Sequence, residues 1–268
     1  MRDRLALHTW TLDALPLHDV LRIARATGWS AVELRRLDFL RAVEAGGSAE
    51  DVVDLVKGSG LAVSAVGAQF GWMFADGAER RRLLLLLGDS CRWAAALGCR
   101  TVMSPVDRGP GDLAQAARSI REAGDIAAEH GVRLALEPNS QAEQLNTLEV
   151  TRELLSRAAH PACALLVDTY HLGRRGGGVP SIEAVAVEEI GYVQFSDVPA
   201  QGLRPGQVLD RLPPGRGTLP FREIFRLLSD KGYRGYLSYE APNQGAWARD
   251  PEAVAREAIE ATRSLLPL

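Results

Sequence analysis

Glu137, Asp168, Gln194 and Glu240 close, or nearly close, four short apolar runs: VRLALE, CALLVD, GYVQF and GYLSYE. Earlier in the chain His8, Glu33 with Arg35, Gln69 and Ser104 stand at comparable places after shorter runs of the same kind. Carboxylates and an amide gathered at one mouth are hard oxygen donors of the sort that hold Mg²⁺ or Mn²⁺; softer ions prefer more nitrogen or sulfur. Carboxylates beside a polarised carbonyl can also move a proton to or from carbon. Unpaired and partly dry, three such acids would repel one another, and a divalent cation relieves the repulsion. Taken singly, each acid reads equally well as a loop cap or as the partner of a Lys or Arg. On spacing alone the metal and the ion-pair readings stand level.

The elements that must position these residues follow one repeated pattern. Apolar or β-branched runs fall at Arg4–His8, Ser30–Leu34, Leu61–Gly67, Arg100–Ser104, Val132–Glu137, Cys163–Asp168, Gly191–Phe195 and Gly235–Glu240. Such runs suit strands buried on both faces, as in parallel sheets. Helix-period stretches fill the gaps, at 17–27, 49–59, 79–97, 113–130, 147–159, 181–189, 220–231 and 251–265. Gly28, Gly60, Gly98, Gly131 and Gly232 stand where helix C-caps belong, and Asp112, Asn146 and Asp250 where N-caps belong. Pro220 and Pro251 fit first-turn positions. Eight βα units at this spacing predict a closed (β/α)8 TIM barrel, a single domain over 1–268, with its site at the C-terminal ends of the strands. The one long irregular stretch is Pro199–Gly217, and loops of that length in a compact domain are usually functional or disordered.

Composition removes several classes. Lys+Arg 31 against Asp+Glu 34 gives a net charge of −3, so there is no large basic field for nucleic acid. The run of five leucines, Leu83 to Leu87, is far too short to span a bilayer, and MRDRLALHTW holds no apolar stretch of signal-peptide length. Three cysteines make no closed disulfide set, and Cys91 and Cys99 lie about 12 Å apart along one helix. The expectation is a cytoplasmic protein with buried, reduced thiols, acting on a small molecule, with neither membrane nor nucleic acid as partner and a homo-oligomer left open. No Walker or dinucleotide glycine fingerprint follows the first strand, and no nucleophile elbow is present.

Five segments in order carry a resemblance: LALEPN (Leu134–Asn139), VDTYH (Val167–His171), VQFSDVP (Val193–Pro199), PPGRGTLPF (Pro213–Phe221) and GYRGYLSYE (Gly232–Glu240). With GWSAVELRR (Gly28–Arg36) they extend it over nearly the whole chain, which resembles the xylose isomerase-like barrel family. That family contains sugar and sugar-phosphate isomerases and epimerases, hydroxypyruvate isomerases, inosose dehydratases and 3-dehydroshikimate dehydratases. The resemblance implies one divalent metal held by Glu137, Asp168, Gln194 and Glu240, with Mn²⁺ or Mg²⁺ ahead of Co²⁺ or Zn²⁺. It also implies that His171, three residues past Asp168, touches the substrate. Many epimerases of the family carry His where this chain has Gln194, and the Gln version resembles the hydroxypyruvate isomerase and 3-dehydroshikimate dehydratase branches. An acid that the family usually places between two glycines is here Arg216.

Glu137 and Glu240 are therefore the expected base and acid, with His171 polarising a substrate oxygen. His8, Glu33, Arg35, Gln69 and Arg216 are the expected substrate contacts. Arg174 and Arg175, before three glycines, could clamp an anion; Phe70 and Trp72 could wall the site, and Asp197 could hold a ligand or a cation. His18, His130 and His160 fall on helices or their ends and read as solvated. With five histidines in all, three of them there, a His-rich multi-metal nuclease site is excluded. The expected activity is a metal-dependent isomerase or epimerase of a small keto-sugar, sugar phosphate or hydroxy-keto acid, working through an enediolate-like intermediate. The alternatives are a dehydratase of the 3-dehydroshikimate or inosose type and a non-catalytic sugar-binding barrel.

Overall fold

The computed structural model describes residues 1–267. Strands β1 (Leu5–His8), β2 (Ala31–Leu34), β3 (Ala62–Gly67), β4 (Thr101–Pro105), β5 (Arg133–Glu137), β6 (Cys163–Asp168), β7 (Ile190–Phe195) and β8 (Leu237–Tyr239) pair in parallel in sequence order. β8 closes on β1, so the sheet is a closed eight-stranded barrel. The strands fall where the apolar runs place them, except that β8 starts at Leu237 rather than Gly235, and Glu240 lies just past its end.

The surrounding helices are α1 (Leu17–Thr27), α2 (Arg36–Glu44), α3 (Ala49–Ser59), α4 (Gly77–Ala96), α5 (Leu113–Glu129), α6 (Leu148–Ala158), α7 (Thr169–Arg174), α8 (Val179–Glu183), α9 (Phe221–Asp230), α10 (Gln244–Trp247) and α11 (Pro251–Leu265). Three of these were not anticipated. α2 follows β2 directly because the Asp38 carboxylate accepts from the Arg35 backbone N–H at its start. α7 follows β6 directly because Asp168 caps it, and α10 starts at Asn243, whose side chain accepts from Ala246 N. The helix expected over 181–189 is broken: α8 ends at Glu183, and Glu189 folds back to accept from Ala186 N in a short 3₁₀ turn. Thr147, not Asn146, caps α6, while Asn146 donates to Ala142 O.

Two layers of core hold the barrel. Between sheet and helices lies a continuous apolar layer, in which α9 sets Phe221 and Phe225 against Phe195 of β7, with ring centroids 6.3 and 5.5 Å away. Each such buried ring contributes about 1.5–3 kcal/mol over its exposed state. Inside the barrel a small plug of Ala65, Met103, Ala135, Leu166 and Tyr192 forms a floor beneath the strand ends. Space there is tight: a Cβ on Gly191 would lie 2.6 Å from that of Ala164. The polar strand-end residues stand on this floor.

Candidate active site

Each polar side chain reaches the mouth because it is the last inward-facing residue of its strand. Glu137 ends β5, Asp168 ends β6, Gln194 is one residue from the end of β7, and Glu240 follows β8; all are buried. Glu137 and Glu240 line a cavity of about 260 Å³ together with His8, Arg35, Gln69, Phe70, Arg108, His171 and Arg211; Asp168 lines an adjoining one, and Gln194 lines neither.

A buried cation ties the acids together, and the sequence reading did not find it. The Arg211 guanidinium places Nη1 3.0 Å from both Asp168 Oδ2 and Glu240 Oε2. It lies over the Tyr170 ring, 4.4 Å from its centroid, and is only 2% exposed. Burial alone would weaken its hold on its proton, but Glu240, Asp168 and Glu137 together hold it protonated more firmly than usual. Arg211 sits in the irregular Pro199–Gly217 stretch, where no periodicity marks it. The signal that could have found it is charge balance: three converging acids call for a cation, and this loop was the unassigned element nearest them.

Glu137 has no such partner. Burial first, then the charges of Glu240 and Asp168, push its carboxyl well above the usual carboxylate range. The result is a basic carboxylate facing the cavity without a hydrogen bond to spend it on.

Both histidines at the mouth face a backbone N–H. Ser140 N donates to His171 Nδ1 at 3.2 Å, and Trp10 N donates to His8 Nδ1 at 3.0 Å. His8 Nδ1 is therefore an acceptor, and the proton of its neutral form sits on Nε2; at His171 the contacts divide, because Arg211 Nη2, a donor only, faces Nε2 at 3.3 Å and Ser140 Oγ, 2.8 Å from Nδ1, can accept there. Burial above all pushes the His171 ring down to about 3, against the pull of Asp168, and it lowers His8 well below its usual value as well. His171 Nε2 lies 3.7 Å from Glu137 Oε1, and His8 Nε2 lies 3.7 Å from both Glu33 Oε1 and Glu240 Oε1.

Donor atoms of Glu137, Asp168 and His171 all lie within 4.8 Å of one another, close enough to share a metal ion. Arg211 Nη2 also faces His171 Nε2, at 3.3 Å. Gln194 supplies the complementary observation. Its Nε2 donates to Glu33 Oε1 at 2.8 Å, while its Oε1 is buried with no hydrogen-bond partner. Buried orphan acceptors are rare and costly. Three carboxylates and one idle amide oxygen are a donor set that fits a hard divalent cation.

The remaining expected contacts divide. Gln69 and Arg35 line the cavity, but Arg35 is spent on Asp13, at 2.7 Å, and on Asp38. Glu33 lies beneath the cavity rather than on its wall; burial, then Glu240, raises its carboxyl to about 8. Arg216 is exposed and outside the cavity lining. The reason is local: Gly215 N and Gly217 N both turn inward to donate to Asp197 Oδ2, which leaves the residue between them facing out. Trp72 is fully buried and donates to Ser104 Oγ, whereas Phe70 stands at the mouth under the Arg108 guanidinium, 5.6 Å from its centroid. Arg174 is held by Asp210 and Tyr170; Arg175 borders a second cavity of about 230 Å³, lined by Asp168 and sharing His171 with the first. His160, expected to be solvated, is 12% exposed and paired with Asp125. No helix among the described residues is long and apolar enough to cross a membrane.

Comparison with known proteins agrees with this architecture. A family model described as xylose isomerase-like TIM barrel matches residues 21–265. The 3-dehydroshikimate dehydratase of Pseudomonas aeruginosa is 31% identical over 163 residues, covering 59% of this chain and 25% of that protein. The chain thus spans about a quarter of that relative's length. The 3-dehydro-D-guloside 4-epimerase of Escherichia coli is 27% identical over 230 residues, covering 78% of this chain and 82% of the epimerase. A xylose isomerase domain protein of Alicyclobacillus acidocaldarius superposes with a TM-score of 0.82 at 25% identity, over 98% of each chain.

Proposed function

The chain belongs to the xylose isomerase-like TIM barrel family, and from that membership and the geometry of the mouth we propose that it is a divalent-metal-dependent isomerase or epimerase of a small keto-sugar, sugar phosphate or hydroxy-keto acid. The observation that carries the reading is the buried, unpartnered Oε1 of Gln194 beside three converging carboxylates. Glu137, Asp168, Gln194 and Glu240 would hold the ion, with Mn²⁺ or Mg²⁺ suited to their oxygen atoms. When bound, such an ion offsets the carboxylate charge and acidifies a C–H next to a carbonyl.

The chain's own groups supply the rest. Glu137, made basic by burial and its neighbours, would take the proton from carbon and lose it to solvent; Glu240, its Oε2 held by Arg211, would return to the other side a proton that its free Oε1 has first taken from solvent. His171 would polarise the substrate oxygen on which negative charge grows, as an enediolate-like species forms. His8 offers its Nε2 proton between Glu33 and Glu240. Arg108 favours an acidic or phosphorylated substrate over a neutral one. Arg35, Arg36 and Arg211, which share its cavity, are each paired with a carboxylate, whereas Arg108 makes no ion pair among the described residues.

A dehydratase is the second reading, favoured by the 3-dehydroshikimate dehydratase among the relatives. The same base would serve, with loss of a β-hydroxyl in place of reprotonation. The test is turnover in D₂O with an acidic keto-sugar or a cyclic 3-keto acid. Glu137→Gln should slow uptake of solvent deuterium by roughly 10²–10⁴, and EDTA should abolish turnover. A product of unchanged mass apart from label marks the isomerase; one lighter by a water marks the dehydratase. Full activity after EDTA would overturn both.

A further inference from the structure

We propose that Glu33 is a positioning residue: it fixes which end of the Gln194 amide faces the three carboxylates, and so makes that amide a metal-binding oxygen rather than a competing N–H donor. The inference rests on the metal reading above and assigns to Glu33 a role away from the substrate.

An amide has an oxygen at one end and an NH₂ at the other, nearly equal in shape. Turned the wrong way, Gln194 would present two N–H bonds to the cation. One contact decides the orientation. Gln194 Nε2 donates to Glu33 Oε1 at 2.8 Å, so the oxygen must take the other side, where it is buried and idle. A flip would break that bond and turn the amide oxygen toward Glu33 Oε1.

Glu33 is itself held in place. Tyr192 Oη lies 3.1 Å from Glu33 Oε2 and 2.7 Å from Ser64 Oγ, and Ser64 donates to Val32 O at 3.1 Å. This chain crosses the barrel through β2, β3 and β7, and all its side chains are buried. The register of β2 against β3 slips between Val32 and Glu33, the kind of irregularity that re-aims one side chain. The carboxylate is thereby brought under Gln194 and kept off the cavity wall. Partners of metal ligands commonly shift affinity 10- to 100-fold when altered.

The experiment is a double-mutant cycle read by Mn²⁺ affinity, from the electron paramagnetic resonance signal of free Mn²⁺, with turnover not needed. Glu33→Gln, free to offer either end of its own amide, should raise the Mn²⁺ dissociation constant by about 10- to 100-fold. On a Gln194→Met background, where there is no amide to orient, the same change should move it less than about two-fold. An equal loss on both backgrounds, or no loss on the native one, overturns the proposal while leaving the metal reading standing. Failure of the unaltered protein to bind Mn²⁺ removes the metal reading and the proposal together. Should Glu33→Gln not fold, nuclear magnetic resonance of the unaltered protein decides: Mg²⁺ should shift the Gln194 side-chain carbonyl carbon while its NH₂ protons stay protected from solvent exchange. Unprotected NH₂ protons, or a carbonyl that ignores Mg²⁺, would sink the idea.

Discussion

A neutral imidazole with its proton on Nε2 and an unprotonated imidazole nitrogen aimed at a cation make opposite demands on the same ring. At His171 the two are balanced, since Ser140 N donates to Nδ1 while Arg211 Nη2, a donor only, faces Nε2 at 3.3 Å; the role proposed for it is that of a substrate contact. The expected outcome for His171→Gln is Mn²⁺ affinity within a few-fold of the native protein, with turnover down by roughly 10²–10⁴ as befits a lost catalytic contact. Equilibrium dialysis alongside initial rates measures both; loss of the metal with the activity would make His171 a ligand instead. Glu137 shows the converse case. Its basicity comes from what surrounds it, since burial and two nearby acids raise its proton affinity while no hydrogen bond lowers it. Removing the Glu240 charge should therefore make Glu137 less basic.

The Pro199–Gly217 loop is anchored by Asp197 at its root. Asp197 Oδ1 accepts from Val198 N and Leu219 N at 2.9 Å each, and Oδ2 accepts from Gly215 N at 2.9 Å and Gly217 N at 2.8 Å. Gly215 takes φ +79°, and a Cβ on Gly217 would strike Val198 O at 2.2 Å, so the Gly-Arg-Gly turn admits little else. An antiparallel bridge from Asp197 to Leu212 then sets Arg211 over the acids. Asp197→Asn puts an NH₂ against two of the four N–H groups. It should cost on the order of 3 kcal/mol, at about 1.5–3 per charged hydrogen bond. Calorimetry should show a fall of several °C in Tm, and turnover should drop as Arg211 loses its seat; an unchanged Tm would mean that the loop is held elsewhere. The same loop marks the limit of what the sequence discloses. Strands buried on both faces announce themselves as apolar runs, and a barrel sends their last polar residues to one mouth, so Glu137, Asp168, Gln194 and Glu240 could be read in advance. Arg211 could not, because its position follows from backbone bridges that leave no periodic trace. Arg216 was misplaced for the related reason that side-chain direction in a turn is decided by which backbone N–H groups point inward.

At the scale of the molecule, the closed sheet leaves no strand edge open, and the thiols lie within the layers around it. Cys91 and Cys99 are buried and Cys163 is half-buried; burial pushes all three up to about 12. Alkylation needs the thiolate. With the folded pKa raised from 9.0, only about one thiol in 10⁴ is ionised at pH 8, against roughly a tenth in the unfolded chain. Iodoacetamide at pH 8 should therefore leave the native protein unlabelled for hours and modify it promptly in denaturant, as mass spectrometry would show. A thiol labelled at once in the native state would contradict its burial. One consequence of Arg211 concerns how the protein is made. During synthesis Glu137 and Asp168 leave the ribosome well before residue 211, and Glu240 follows soon after it. The arginine thus reaches the cluster just as the last strand completes the ring, and the newborn chain brings its own neutralising charge. Folding need not await a scarce ion. If the proposed ion binds, its loading would be a later exchange of one cation for another, and cells short of metal would accumulate a folded, waiting reserve rather than debris for proteases.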